Sequence, residues 1–133
     1  MGNKKEYREE NTEFLKKISK DADVYRLPGG ILYKVLNKGA GLKSPEKGSV
    51  VVVHYNGRLI SGEVFDNTFG RESPEAFRVR EVIEGWQIAL QHMHEGDRWI
   101  IYIPYNLGYG CRAVDGIPGF STLIFDVELI SIA

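Results

Sequence analysis

Only one cysteine, Cys111, occurs in the 133 residues. No disulfide can form within the chain, and a reducing compartment is the natural setting. Histidines are almost as scarce, at three: His54, His92 and His94. The last two stand two residues apart and share no helical face, so solvated or capping roles are expected and a metal site is not. The chain has no GxSxG, no Gly-Lys-Ser/Thr phosphate loop and no GxGxxG opening a helix. Cys111 has no evident partner base, which leaves an incidental thiol. A net charge of −1 and a pI near 6.3 provide no global field to draw nucleic acid or an anionic membrane. No apolar run approaches the roughly 18 residues of a membrane span. The charged start, Met1 to Glu6, lacks the apolar stretch of a secretory leader. Gly2 would suit myristoylation, but Glu6 stands where serine or threonine belongs. The cytoplasm is therefore the expected location, or the periplasm or envelope if a leader was removed. No cofactor is called for.

What is present is the composition of one globular domain, 43% hydrophobic and 26% charged, long enough to bury a core. The organising stretch is Glu81 to Met93. There Trp86, Ala89, Leu90 and Met93 repeat at helical spacing, and Gly85 just before them lets another group approach the backbone. So short a helix needs a sheet to pack on.

The other elements supply it. Residues 4–20 form an amphipathic helix whose seam is Tyr7, Phe14, Leu15 and Ile18, docked on the body of the domain or on a second copy. Pro28-Gly29-Gly30 breaks the chain there, dividing it into a helix and linker (1–27) and a body (28–133). Strands are expected at Ile31–Leu36, Val50–Tyr55, Val64–Asp66, Ala76–Val79, Arg98–Ile103 and Ser121–Ile132. The β-branched run at Val50 reads as a central strand buried on both faces. Asn56-Gly57 marks a bend or bulge, and Ser61-Gly62 a hairpin turn. Val82 and Ile83 end an extended segment that hands the chain to the helix. Arg71 to Pro74 reads as an irregular excursion, and Pro104 to Phe120 as a long loop with a functional role. The fold class is α+β: a curved antiparallel sheet, or half-barrel, wrapped on one short helix, with an extra N-terminal helix. The pocket should lie between the helix's N-terminal end and the long loop.

Aromatics are abundant. Taken singly, Phe77, Trp99 and Phe125 read as core, whereas Trp86 beside a glycine suits a cleft. Tyr109, between two glycines in a loop, suits ligand contact. Asp66 alone would be a turn former.

Five segments together resemble the FKBP-type peptidyl-prolyl cis-trans isomerases, in family order over about residues 30 to 132. They are Val52 to Gly57, Gly62 to Asn67, Val82-Ile83-Glu84-Gly85-Trp86, Ile103-Pro104 through Gly108-Tyr109-Gly110, and Ile117-Pro118 leading to Thr122–Leu129. The N-terminal helix before Pro28-Gly29-Gly30 is similar to that of bacterial members. The resemblance implies a half-barrel on a short helix and a pocket for a proline ring. Tyr55, Phe65, Val82, Ile83, Trp86 and Phe125 would line it, with Trp86 as the floor. Asp66 would be a polar pocket member partnered by Arg71, and Ile117 would close the rim. The Tyr109 hydroxyl and the Ile83 amide would each bond a substrate carbonyl. Tyr109, Asp66, Trp86 and Phe65 would be catalytic and the others substrate-binding.

Proline-containing polypeptides are the implied partners, with the protein assisting folding as monomer or weak homodimer through the N-terminal helix. Macrolide inhibitors are implied too, weakened because Glu75 replaces an aromatic rim residue; the 112–116 loop also departs from the best-known form. The alternatives are a non-catalytic proline-recognising or chaperone module on the same fold, and a small-ligand β-barrel.

Overall fold

The computed structural model describes residues 3–71 and 73–133; Met1, Gly2 and Glu72, with the Gly2 reading and part of the 71–74 excursion, lie outside it. In order the elements are α1 (Lys4–Ile18), β1 (Tyr25–Leu27), β2 (Ile31–Asn37), β3 (Val50–Arg58), β4 (Val64–Asn67), β5 (Glu75–Arg78), α2 (Glu84–Leu90), β6 (Arg98–Ile103) and β7 (Leu123–Ile132). Seven antiparallel strands form one curved, unclosed sheet in the order β1-β2-β6-β7-β3-β4. Strand β5 also pairs with β3, so β4 and β5 share one edge of it, at Asn56–Arg58 and Val50–Val53. The expected architecture, two helices and a half-barrel sheet, is the one found.

The main core lies in the concave face. Val51, Val53 and Tyr55 of β3, Ile101 and Ile103 of β6, and Phe125, Val127 and Leu129 of β7 meet Trp86, Ala89, Leu90 and Met93. Helix α2 ends at Leu90, and Met93 is fully buried in the turn that follows. Gly85 lets the helix lie directly on β6: a Cβ there would stand 2.5 Å from Ile103 Cγ2.

Two strand expectations need correction. Strand β3 is not buried on both faces but alternates, with Val51, Val53, Tyr55 and Gly57 inward. The outward residues Val50, Val52, His54, Asn56 and Arg58 are half-buried, so the β-branched run reflects strand propensity and partial burial. The strand before α2 ends at Arg78; Val79–Glu81 form a 3-10 turn, Val82 follows in extended conformation, and Ile83 stands at the N-cap of α2, both outside the sheet. The irregularity at Gly57 is present, as a register shift against β4 between Gly57 and Arg58.

Helix α1 docks on the outer face of its own sheet. Phe14, Leu15 and Ile18 pack against Leu32, Tyr102 and Ile124, and Asn11, 2% exposed, accepts from the Thr122 amide at 2.7 Å. Asn3 caps the helix by accepting from Glu6 N at 2.8 Å. Among the described residues no helix is long and apolar enough to cross a membrane.

Candidate active site

A cavity of about 430 Å³ opens where the N-terminal end of α2 meets the 104–120 loop. Trp86, 4% exposed, forms its floor. Three rings stand edge to face against the indole: Tyr55 at 5.0 Å, Phe125 at 5.2 Å and Phe77 at 5.7 Å between centroids. Phe65 leans edge-on against Phe125 at 5.6 Å. Such a nest requires the backbone beneath to carry no side chain: a Cβ on Gly57 would lie 2.7 Å from both Phe125 and Phe65. Val82, Ile83 and Ile117 complete the apolar wall. Among the described residues the Trp86 Nε1 donor is buried without a partner, and the Ile83 amide has none in the protein.

The polar side is a short network. Tyr55 Oη donates to Asp66 Oδ2, and Asp66 Oδ1 accepts from the Asn67 amide at 3.0 Å. Arg71 stands 3.5 Å from Asp66 and 2.9 Å from Glu75. Its charge balances a carboxylate held at the pocket mouth, but Arg71 itself does not line the cavity. Nor does Glu75, whose carboxylate is turned to Arg71.

Sequence reasoning missed Phe77, Glu81, Val114 and Asp115 as lining residues. Phe77 looked like core, and it is both core and wall. The other omission had a legible cause. The long loop contains a two-residue hairpin, in which Val114 and Ile117 exchange backbone hydrogen bonds of 3.0 and 2.8 Å around Asp115 (φ 47°) and Gly116 (φ 81°). Asp-Gly is among the strongest short hairpin signals. This hairpin delivers Ile117, 5% exposed, to the wall.

The histidines are occupied locally: His54 Nδ1 pairs with Thr68 Oγ1 at 3.0 Å and His92 Nδ1 with Ile88 O at 2.9 Å. His94 lies 3.7 Å from Asp97. No group of three or more His, Cys, Asp or Glu among the described residues is placed to hold a metal ion.

Burial, and then the hydrogen bond to Asp66, push the Tyr55 phenol well above the usual tyrosine range. Burial and the charges of Asp66 and Asp115 raise Tyr109, and burial with Tyr25 raises Tyr33. A raised phenol keeps its proton in the folded chain after the unfolded chain has lost it. Stability therefore falls as pH climbs past about 10. In a phenolate-absorbance titration of the folded protein, these three of the seven tyrosines should ionise late. All seven titrating together near pH 10, with the fold intact by circular dichroism, would contradict this.

The pattern defining the FKBP-type peptidyl-prolyl cis-trans isomerases matches residues 41–130. The chain belongs to this family. It is 46% identical over 120 residues to a macrophage infectivity potentiator of Trypanosoma cruzi, covering 90% of this chain and 61% of that protein. It is likewise 46% identical over 107 residues to the outer membrane protein MIP of Legionella longbeachae, covering 80% and 46%. A crystal structure of a peptidyl-prolyl cis-trans isomerase from Pseudomonas syringae superposes with a TM-score of 0.90 at 34% identity, covering 100% of this chain and 98% of that one. The chain spans about half the length of the curated relatives it matches.

Proposed function

We propose that this domain accelerates cis-trans rotation of X-Pro amides in polypeptides. The observation that carries the reading is the aromatic cavity over Trp86, lined also by Tyr109 and Ile83. Rotation about the amide meets a barrier of about 18–20 kcal/mol because resonance is lost in the twisted state. The planar amide is strongly dipolar, and the twisted one is less charge-separated at oxygen. An apolar pocket disfavours the planar form more, which lowers the barrier. Trp86, Phe65, Phe125, Tyr55 and Val82 hold the ring; Tyr109 and the Ile83 amide fix the flanking carbonyls. Asp66, kept in place by Tyr55 and Arg71, supplies a fixed negative field at the mouth. The step needs neither nucleophile nor metal.

A protease-coupled assay on short X-Pro peptides tests this, with an apolar residue before the proline favoured by the apolar wall. Tyr109→Phe should lower kcat/KM about two- to tenfold, the worth of one ordinary hydrogen bond. Rates equal to the uncatalysed reaction at micromolar protein would leave a non-catalytic proline-recognising module.

Other parts of the reading follow from neighbouring residues. Macrolides would bind weakly, since the position that would carry an apolar rim aromatic holds Glu75, whose carboxylate is paired with Arg71 and offers no apolar contact. The α1 seam is packed on its own sheet, which supports a monomer. The relative named as an outer membrane protein favours an envelope location over the cytoplasm expected from composition.

A further inference from the structure

Helix α1 grips the loop that carries Tyr109. The Arg8 guanidinium lies 4.8 Å from the centroid of the Phe120 ring and 5.6 Å from that of Tyr105, and its Nη2 donates to Tyr105 Oη at 3.1 Å. Those two rings meet edge to face at 4.9 Å. Phe120 has φ 65°, a left-handed backbone that a bulky residue adopts only when its surroundings enforce it. Its amide donates to Gly110 O at 2.9 Å, and the Gly110 amide donates to Tyr105 O at 2.9 Å. Tyr109 is thus attached to a backbone clasp whose strained member is covered by Arg8. One residue earlier, Tyr7 Oη lies 2.7 Å from Ser121 Oγ, and that hydroxyl donates to Pro118 O at 2.6 Å, so Tyr7 is the donor to it.

We infer that Arg8 is a positioning residue for substrate binding: by covering Phe120 in its left-handed backbone, it holds Gly110, and through it Tyr109, over the pocket. The inference rests on the isomerase reading for its purpose but not for its geometry. A loop that samples other positions binds substrate through the competent fraction alone. Saturating substrate reselects that fraction, so the penalty falls on KM and spares kcat.

The test uses the whole chain. Arg8→Ala should raise KM for X-Pro peptides about two- to fivefold with kcat held, the loss of an exposed cation–ring contact of ordinary strength. Arg8→Lys should recover most of it. Amide exchange at Phe120 and Gly110 should quicken by a similar factor while the β3–β7 ladder is unchanged. In Phe120→Gly the left-handed backbone costs nothing and only the Tyr105 contact of Arg8 remains, so adding Arg8→Ala should move both readouts clearly less than it does in the wild-type background. Unchanged exchange in Arg8→Ala, an undiminished effect in the Phe120→Gly background, or loosened exchange with KM unmoved would each overturn the inference. A wild-type protein without isomerase activity would overturn the functional reading instead, and exchange would still decide whether the clasp exists.

Discussion

Trp86→Ala is expected to cost about 3–5 kcal/mol of stability and to lower isomerase activity by about two orders of magnitude. The indole is 4% exposed, and Tyr55, Phe77 and Phe125 all rest edge to face against it. Removing it opens a cavity that these rings fill only by leaving the pocket walls. Against a typical total of about 5–15 kcal/mol, that loss leaves a folded but weakened domain, its Tm lower by roughly 10–20 °C. Trp86→Phe is the informative control. It keeps much of the ring and removes the Nε1 donor, which is buried without a partner among the described residues; leaving such a donor unpaired costs about 1–3 kcal/mol. Its stability loss should therefore be well below that of alanine. Denaturant unfolding and the coupled peptide assay decide both. Less than about 1 kcal/mol for Trp86→Ala would take the floor out of the core, and retained turnover would take it out of the chemistry.

Local chemistry explains which parts of this protein were legible in its sequence. The apolar stripe from Trp86 placed α2, because a helix must bury one face whatever covers it. Alternation in Leu123, Phe125, Val127 and Leu129 placed β7 and its inward side, and all four are buried. The run of valines in β3 misled about its outer face because β-branching serves strand geometry as well as burial. Ile117 was named as a rim residue, but the hairpin that carries it was missed as an element because the Asp115-Gly116 turn was absorbed into a long loop, although its residue types announce a hairpin.

Partners distant in sequence were not legible at all. Asn11 is one polar residue among many on α1, and its meaning appears only when Thr122, 111 positions away, comes to it. Glu75 read as a rim carboxylate exposed to ligand, yet Arg71 at 2.9 Å takes it up. The first contact joins groups that no local pattern links; the second joins residues only four apart, but not on a helix, where that spacing alone implies no contact. Nine of the ten proposed site residues line one cavity. Arg71, the tenth, stands 3.5 Å from Asp66 and does not line the cavity itself.

Removing residues 1–24 should lower Tm by roughly 5–15 °C without unfolding the domain. Every cavity-lining residue lies after Pro28-Gly29-Gly30, and the main core is closed without α1. The outer cluster is not. Leu32, Tyr102 and Ile124 would lose Phe14, Leu15 and Ile18, and a fully buried aliphatic side chain is worth about 1.5–3 kcal/mol. Ordering a 15-residue helix costs conformational entropy that offsets much of that gain, so the net contribution is a few kcal/mol. Asn11→Ala isolates the polar share. It leaves the Thr122 amide without its acceptor and should cost about 1–3 kcal/mol. The truncated protein should bind an apolar dye at the uncovered patch and keep isomerase activity to within the two- to fivefold assigned to Arg8. An unfolded truncated chain would make α1 part of the core, whereas an unchanged Tm together with a neutral Asn11→Ala would mean that the helix does not dock in solution.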